Sequence, residues 1–229
     1  MVYITGDTHG DLSFFKNPKL KKLTKNDTLI ICGDFGFLWD DSEEEKAALE
    51  ELKKKKYTIC FADGVHENHE RLGKYRDYRF KGGNAHKIAK NIYHLTRGEI
   101  YTFDKHTFFV MGGGSSEDDR MRTEGKTHFK EELPDGEELL HGAQILKENG
   151  DKVDYIITHE PPAKAKEFLQ LKRGGVPVIN PLNTYLQQLM LEVEYKHWYF
   201  GSMHIDLPIS RKMTAVFDEI IPIKDENKK

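Results

Sequence analysis

No apolar run in the 229 residues approaches the roughly 20 that a helix needs to span a bilayer, so a helical membrane protein is excluded. Cysteine is scarce. Cys32 and Cys60 are the only two, both inside apolar runs, and they read as buried small hydrophobes rather than as a disulfide. That scarcity suits a reducing cytoplasm. A basic excess is also missing: the formal net charge of −3 excludes a grip on nucleic acid through a broad positive field, leaving only a local patch open. The aromatic residues around Phe35, Phe37 and Trp39 lack interleaved basic ones and read as packing, not as a base-stacking platform. No repeat, low-complexity tract or linker interrupts the chain. Met1-Val2-Tyr3-Ile4-Thr5 lacks the basic leader and cleavage site of a signal peptide. What is present, 38% hydrophobic and 32% charged residues, is the balance of a cytoplasmic globular protein. The length suits one sizeable core, expected over residues 1–223, followed by a charged tail at 224–229.

Six short apolar runs end at residues unusual for a strand terminus. Val2 to Thr5 stops at Gly6-Asp7, Thr28 to Cys32 at Gly33-Asp34, and Tyr57 to Ala62 at Asp63-Gly64. Thr107 to Met111 stops at three glycines, Val153 to Thr158 at His159, and His197 to Phe200 at Gly201. Runs of this length, rich in Ile, Val, Phe and Tyr and bounded by Gly, predict buried strands. Between the second and third, Ser42 and Glu45 form a capping-box signature ahead of Ala48, Leu49 and Leu52, which predicts a helix. The lysines from Lys53 to Lys56 suit its C-terminal end as a solvated terminus. Further helices are expected from Glu137 to Glu148 and from Asn183 to Glu194, and a polar loop facing the site from Ser115 to Pro134. Strands alternating with helices imply an α/β fold.

Ligands in such sheets bind beyond the carboxyl ends of the strands. Those ends carry Asp7 and His9, Asp34, His66, His159 and His204. What these side chains share is the capacity to coordinate a divalent transition metal. Each taken singly could be a turn residue, a helix cap or a satisfied core histidine; the set, each after a separate apolar run or paired behind one, points to a metal centre.

The series Gly6-Asp7-Thr8-His9-Gly10, Gly33-Asp34, Gly64-Val65-His66-Glu67, Thr158-His159 and Gly201-Ser202-Met203-His204 resembles, in order, the motifs of calcineurin-like metallophosphoesterases. Three more stretches resemble the bacterial and phage branch of that family: Gly33-Asp34-Phe35-Gly36-Phe37-Leu38-Trp39, Leu95-Thr96-Arg97-Gly98, and Gly112-Gly113-Gly114-Ser115-Ser116 with Asp118 and Arg122 downstream. The resemblance runs from Met1 to about Ile221. It implies a layered sandwich of two central mixed sheets flanked by helices, and metal-dependent hydrolysis of a phosphate monoester or diester. It implies one metal on Asp7, His9 and His204, a second on His159 and the positions of Val65 and Ser202, and Asp34 bridging them. His66 would be the acid beside the metals, held by Asp63 or a neighbouring carboxylate. Mn²⁺ is the expected metal, with Fe and Zn as alternatives. The partner is a phosphorylated small molecule or phosphoester.

Two positions depart from the family pattern, and both fall on the second metal. Val65 stands where the family has Asn, and Ser202 where it has His. Val offers no lone pair and a neutral hydroxyl is a poor substitute for imidazole, so the second site is expected to be weak or empty. Asn68-His69-Glu70 restores the motif letters three residues later, but the in-frame reading keeps Gly64, His66 and Glu67 together at the end of the apolar run. His69 and His128 are the candidate replacement ligands. Arg122, after the triple glycine, is placed to pair with phosphate oxygens, while Arg97 reads equally as a structural ion pair or a substrate contact. Because two ligands are missing, a degenerate protein that binds a phosphorylated ligand without turnover is the alternative reading.

Overall fold

The computed structural model describes residues 1–115 and 129–223. Its strands, in chain order, are β1 (Val2–Thr5), β2 (Thr28–Ile31), β3 (Thr58–Phe61), β4 (Asp77–Phe80), β5 (Gly83–Ala89), β6 (Ile92–Leu95), β7 (Glu99–Phe103), β8 (His106–Met111), β9 (Tyr155–Thr158), β10 (His197–Phe200), β11 (Leu207–Ser210), β12 (Met213–Ala215) and β13 (Ile221–Pro222). The α-helices are α1 (Pro18–Lys21), α2 (Glu43–Lys53), α3 (His69–Leu72), α4 (Gly136–Glu148), α5 (Ala163–Lys172) and α6 (Pro181–Glu192). They frame two mixed sheets, ordered β13-β1-β2-β3-β6-β5-β4 and β11-β12-β10-β9-β8-β7. In the first, β1, β2, β3 and β6 run parallel; in the second, β8, β9, β10 and β12 do. Antiparallel strands close the outer edges.

The expected α/β sandwich is therefore present, and its layers follow from burial. Strands β2 and β9 are buried along their whole length, as their unbroken apolar runs require of a sheet covered on both faces. Ile4, Ile30 and Cys60 from one sheet meet Phe108, Val110, Ile157 and Tyr199 from the other in a shared core between the sheets. The outer face of the first sheet packs Leu29, Ile31, Ile59 and Phe61 against Leu49 and Leu52 of α2. Each such leucine stabilises the fold by about 1.5–3 kcal/mol. The outer face of the second sheet packs Ile156 and Trp198 against Leu169 of α5 and Leu186 of α6. Both cysteines are buried and free.

All six expected strands form, with ends shifted by two residues at most, and the helix expected over 137–148 begins one residue earlier, behind an Asp135 cap. The helix expected from Asn183 begins at Pro181, because Asn180 takes the cap and exchanges bonds with Asn183. The capping box expected at Ser42 is half formed. Ser42 Oγ accepts from Glu45 N at 3.2 Å, but the Glu45 carboxylate turns instead to the backbone N–H groups of Trp39 and Asp40 and to Arg71. Helices α1, α3 and α5 and the strands β4 to β7 and β11 to β13 are additions to the expected elements. For α5 a local signal exists, since Pro161-Pro162 precedes ten residues dominated by good helix formers.

Candidate metal centre

The parallel strands of both sheets deliver their carboxyl ends to one place. Asp7 and His9 follow β1, Asp34 follows β2, His66 follows β3, His159 follows β9 and His204 follows β10. The loops that carry them are unusual backbone: His9, Asp34, Ser202 and His204 all have φ between 44° and 54°, in the left-handed region that non-glycine residues seldom enter. Strained positions of this kind cluster where a site demands them. Two glycines let the carboxylates come close. A Cβ on Gly64 would stand 2.1 Å from Asp34 Oδ1, and one on Gly201 would stand 2.1 Å from Asp7 Oδ1.

Backbone amides aim both carboxylates. Asp34 Oδ1 accepts from the N–H groups of Val65 (2.6 Å) and His66 (2.8 Å), while both Asp7 oxygens accept from Ser202 N (3.2 and 3.0 Å). The Asp34 carbonyl accepts from Thr8 N and His9 N, tying the first loop to the second. Glu67, fully buried, completes the frame by accepting from Gly64 N at 2.6 Å and Gly36 N at 3.2 Å. Its place behind His66 is the only hint of that role in the sequence.

On this frame, ligand atoms of Asp7, His9, Asp34 and His204 all lie within 4.8 Å of one another. Ligand atoms about 2.1 Å from a shared divalent ion stand at most about 4.2 Å apart, and about 3.4 Å apart in a tetrahedral shell, so the side chains would close in by roughly an ångström on binding. His9 Nε2 and His204 Nε2 are already 2.9 Å apart. Two buried carboxylates and two imidazoles are a donor set that fits such an ion. His159 sits against the same carboxylates, with Nδ1 3.5 Å from Asp7 Oδ1 and Nε2 3.7 Å from Asp34 Oδ1. Burial disfavours its charge, but Asp34 and Asp7 outweigh burial and hold its pKa well above the usual histidine value. Burial likewise pushes the Asp7 carboxyl up, and His159 and His204 more than reverse it. A cation entering this centre would relieve the same electrostatic demand.

His66 projects beside the cluster, about half exposed, with Nε2 3.9 Å from Asp34 Oδ2 and its ring 4.7 Å from that of His9. The neighbouring carboxylate is therefore Asp34. Asp63 is taken up by His94 Nε2 at 3.0 Å and by Arg97 at 2.9 and 2.6 Å. Arg97 is thereby resolved as a structural ion pair, its remaining bonds going to Glu138 and two backbone carbonyls. The register-shifted motif is not at the centre: Asn68 caps α3, and His69 turns its Nε2 to Gly64 O at 3.2 Å. Phe35 and Phe37 are core residues, and Trp39 lies in the wall near His66 and Phe129. Val65 presents its amide to Asp34, not a lone pair, and the buried Ser202 Oγ has no hydrogen-bond partner among the described residues. Arg122 and His128 lie outside the described residues.

The family model for calcineurin-like phosphoesterases matches residues 1–206. No curated protein matches the chain.

Proposed function

The chain belongs to the calcineurin-like phosphoesterase family, and on that premise we propose that it is a metal-dependent hydrolase of phosphate monoesters or diesters that works with one firmly held metal. The observation that carries this reading is the convergence of Asp7, His9, Asp34 and His204, from loops of both sheets, on one point. These four residues would hold the ion, with Mn²⁺ the expected metal and Fe or Zn the alternatives, since mixed His and Asp donors suit all three. A bound divalent ion supplies Lewis-acid polarisation of a phosphoryl oxygen and a water of lowered pKa.

The remaining work falls to the chain itself. Asp34, fixed by two backbone amides, places its carboxylate 3.8 Å from His9 Nδ1 and 3.9 Å from His66 Nε2. His66 is exposed enough to reach a substrate and stands against the Asp34 carboxylate, so it would give a proton to the leaving oxygen. On the far side of Asp34, His159 is the only good donor among the described residues that could build a second site, because Val65 and Ser202 contribute an alkyl group and a hydroxyl. Any second ion there would be weakly held.

The test is hydrolysis of aryl phosphate monoesters and diesters by metal-stripped protein across a Mn²⁺ titration, with Asp34→Ala as control. Turnover should rise with Mn²⁺, saturate near one equivalent and vanish in the control. Protein that binds one equivalent and never turns over would refute the reading. Val65→Asn combined with Ser202→His should add a second binding equivalent.

A further inference from the structure

Beside Asp34, on the side where Val65 and Ser202 stand, lies a recess of about 250 Å³ that is also lined by His66, His159, Lys166, Arg173 and His204. The Asp34 and Glu160 carboxylates line it too, while neither Val65 nor the Ser202 hydroxyl is a good ligand for a cation. Two permanently charged cationic side chains line it, and their partners separate them. The Lys166 ammonium is buried 2.7 Å from Glu160 Oε2 and 3.3 Å from Asn183 Oδ1, so it is committed to the interior. Arg173 is exposed, and its Nη2 donates to the carbonyl of Met203, between Ser202 and His204. That bond uses one of five N–H donors and pins the guanidinium to the loop that carries the metal ligand His204.

We propose that Arg173, with the unpartnered Ser202 hydroxyl, forms the oxyanion subsite of this recess, which receives phosphoryl oxygens and supplies the positive charge that a second metal would otherwise bring. The inference rests on the proposed phosphoesterase reading for its ligand class. A guanidinium presents parallel N–H donors at the spacing of two phosphoryl oxygens. Ser202 Oγ has no partner among the described residues and is itself closed off from solvent, so it would turn about χ1 to donate into the recess, and an anion there would offset its desolvation cost. Arg173 caps the end of α5, and its side chain lines the recess.

The experiment measures inorganic phosphate affinity by titration calorimetry, with and without Mn²⁺, for the wild type, Arg173→Ala, Arg173→Lys and Ser202→Ala, alongside Mn²⁺ affinity for each. Arg173→Ala should weaken phosphate binding at least tenfold and leave Mn²⁺ affinity unchanged. Arg173→Lys should fall between, because it keeps the charge and loses the fork, and Ser202→Ala should lose a few-fold. Arg173 is exposed, so its variants should fold, which circular dichroism checks. Unchanged phosphate affinity in Arg173→Ala overturns the inference. So does a parallel loss of phosphate and Mn²⁺ affinity, which would make Arg173 only an anchor for the His204 loop. If phosphate binding depends on Arg173 but the wild type hydrolyses nothing, this inference stands and the proposed activity fails. If the wild type hydrolyses phosphoesters but binds phosphate independently of Arg173, the activity stands and this inference fails.

Discussion

The proposed centre turns on Asp34: it is buried, it accepts from two successive amides, and three imidazoles stand within 3.9 Å of it. Asp34→Asn keeps the shape and removes the charge, so Mn²⁺ affinity measured calorimetrically should fall at least about tenfold. Gly64→Ala should act on the same group from outside, because its Cβ would meet Asp34 Oδ1 at 2.1 Å. Hydrolysis should drop with it although no ligand is removed. His69 gives a separate prediction. Burial, opposed by the Asp63 charge, lowers its pKa from 6.5 to about 4. The folded state therefore holds His69 neutral in a range where the unfolded chain protonates it, and stability is lost as pH falls from 6.5 through 4. By linkage the loss between pH 7 and pH 5.5 is about 1 kcal/mol. Urea midpoints at the two pH values should show it, and His69→Gln should flatten that part of the dependence.

At the scale of elements, helix α2 shows how one side chain can serve two structures. Ser42 caps it through Glu45 N, and Ser42→Ala should cost about 1 kcal/mol in denaturant unfolding. Glu45 looks like the returning half of the same cap, yet it bonds to Trp39 N and Asp40 N and pairs with Arg71 at 2.7 Å. Glu45→Ala should therefore cost more, about 2 kcal/mol, by leaving two amides without their acceptor and Arg71 with only Asp41 to pair with. The same exchange of partners explains Arg97. Its place after β6 suited a substrate contact as well as an ion pair, and only the fold brings Asp63 and Glu138 to it. Local sequence names the donor; the acceptor comes from a strand end or helix more than thirty residues away in the chain.

At the scale of the whole molecule, the centre joins two sheets, with Asp7 and Asp34 from one facing His159 and His204 from the other. A metal bound there would crosslink them. At a free Mn²⁺ concentration one hundred times Kd the folded state gains about 2.7 kcal/mol. A protein of this size should then melt about 5–10 °C higher than after chelation. Differential scanning calorimetry checks the shift, and Asp7→Asn should abolish most of it. No helix of the described residues is long and apolar enough to cross a membrane.

The sequence by itself determined the six buried strands, the α/β class and the identity of the residues at the strand ends, because apolar runs closed by glycine and followed by Asp or His are local patterns. It also marked Val65 and Ser202 as departures from the family pattern, because side-chain type is visible in the sequence. Only the tertiary structure decided that His66 leans on Asp34 while Asp63 serves Arg97 and His94, that Asn68 is spent as a helix cap, and that Arg173 reaches the recess beside Ser202. Those outcomes depend on which distant groups compete for one carboxylate or one carbonyl, and that competition is settled by the packing of the two sheets.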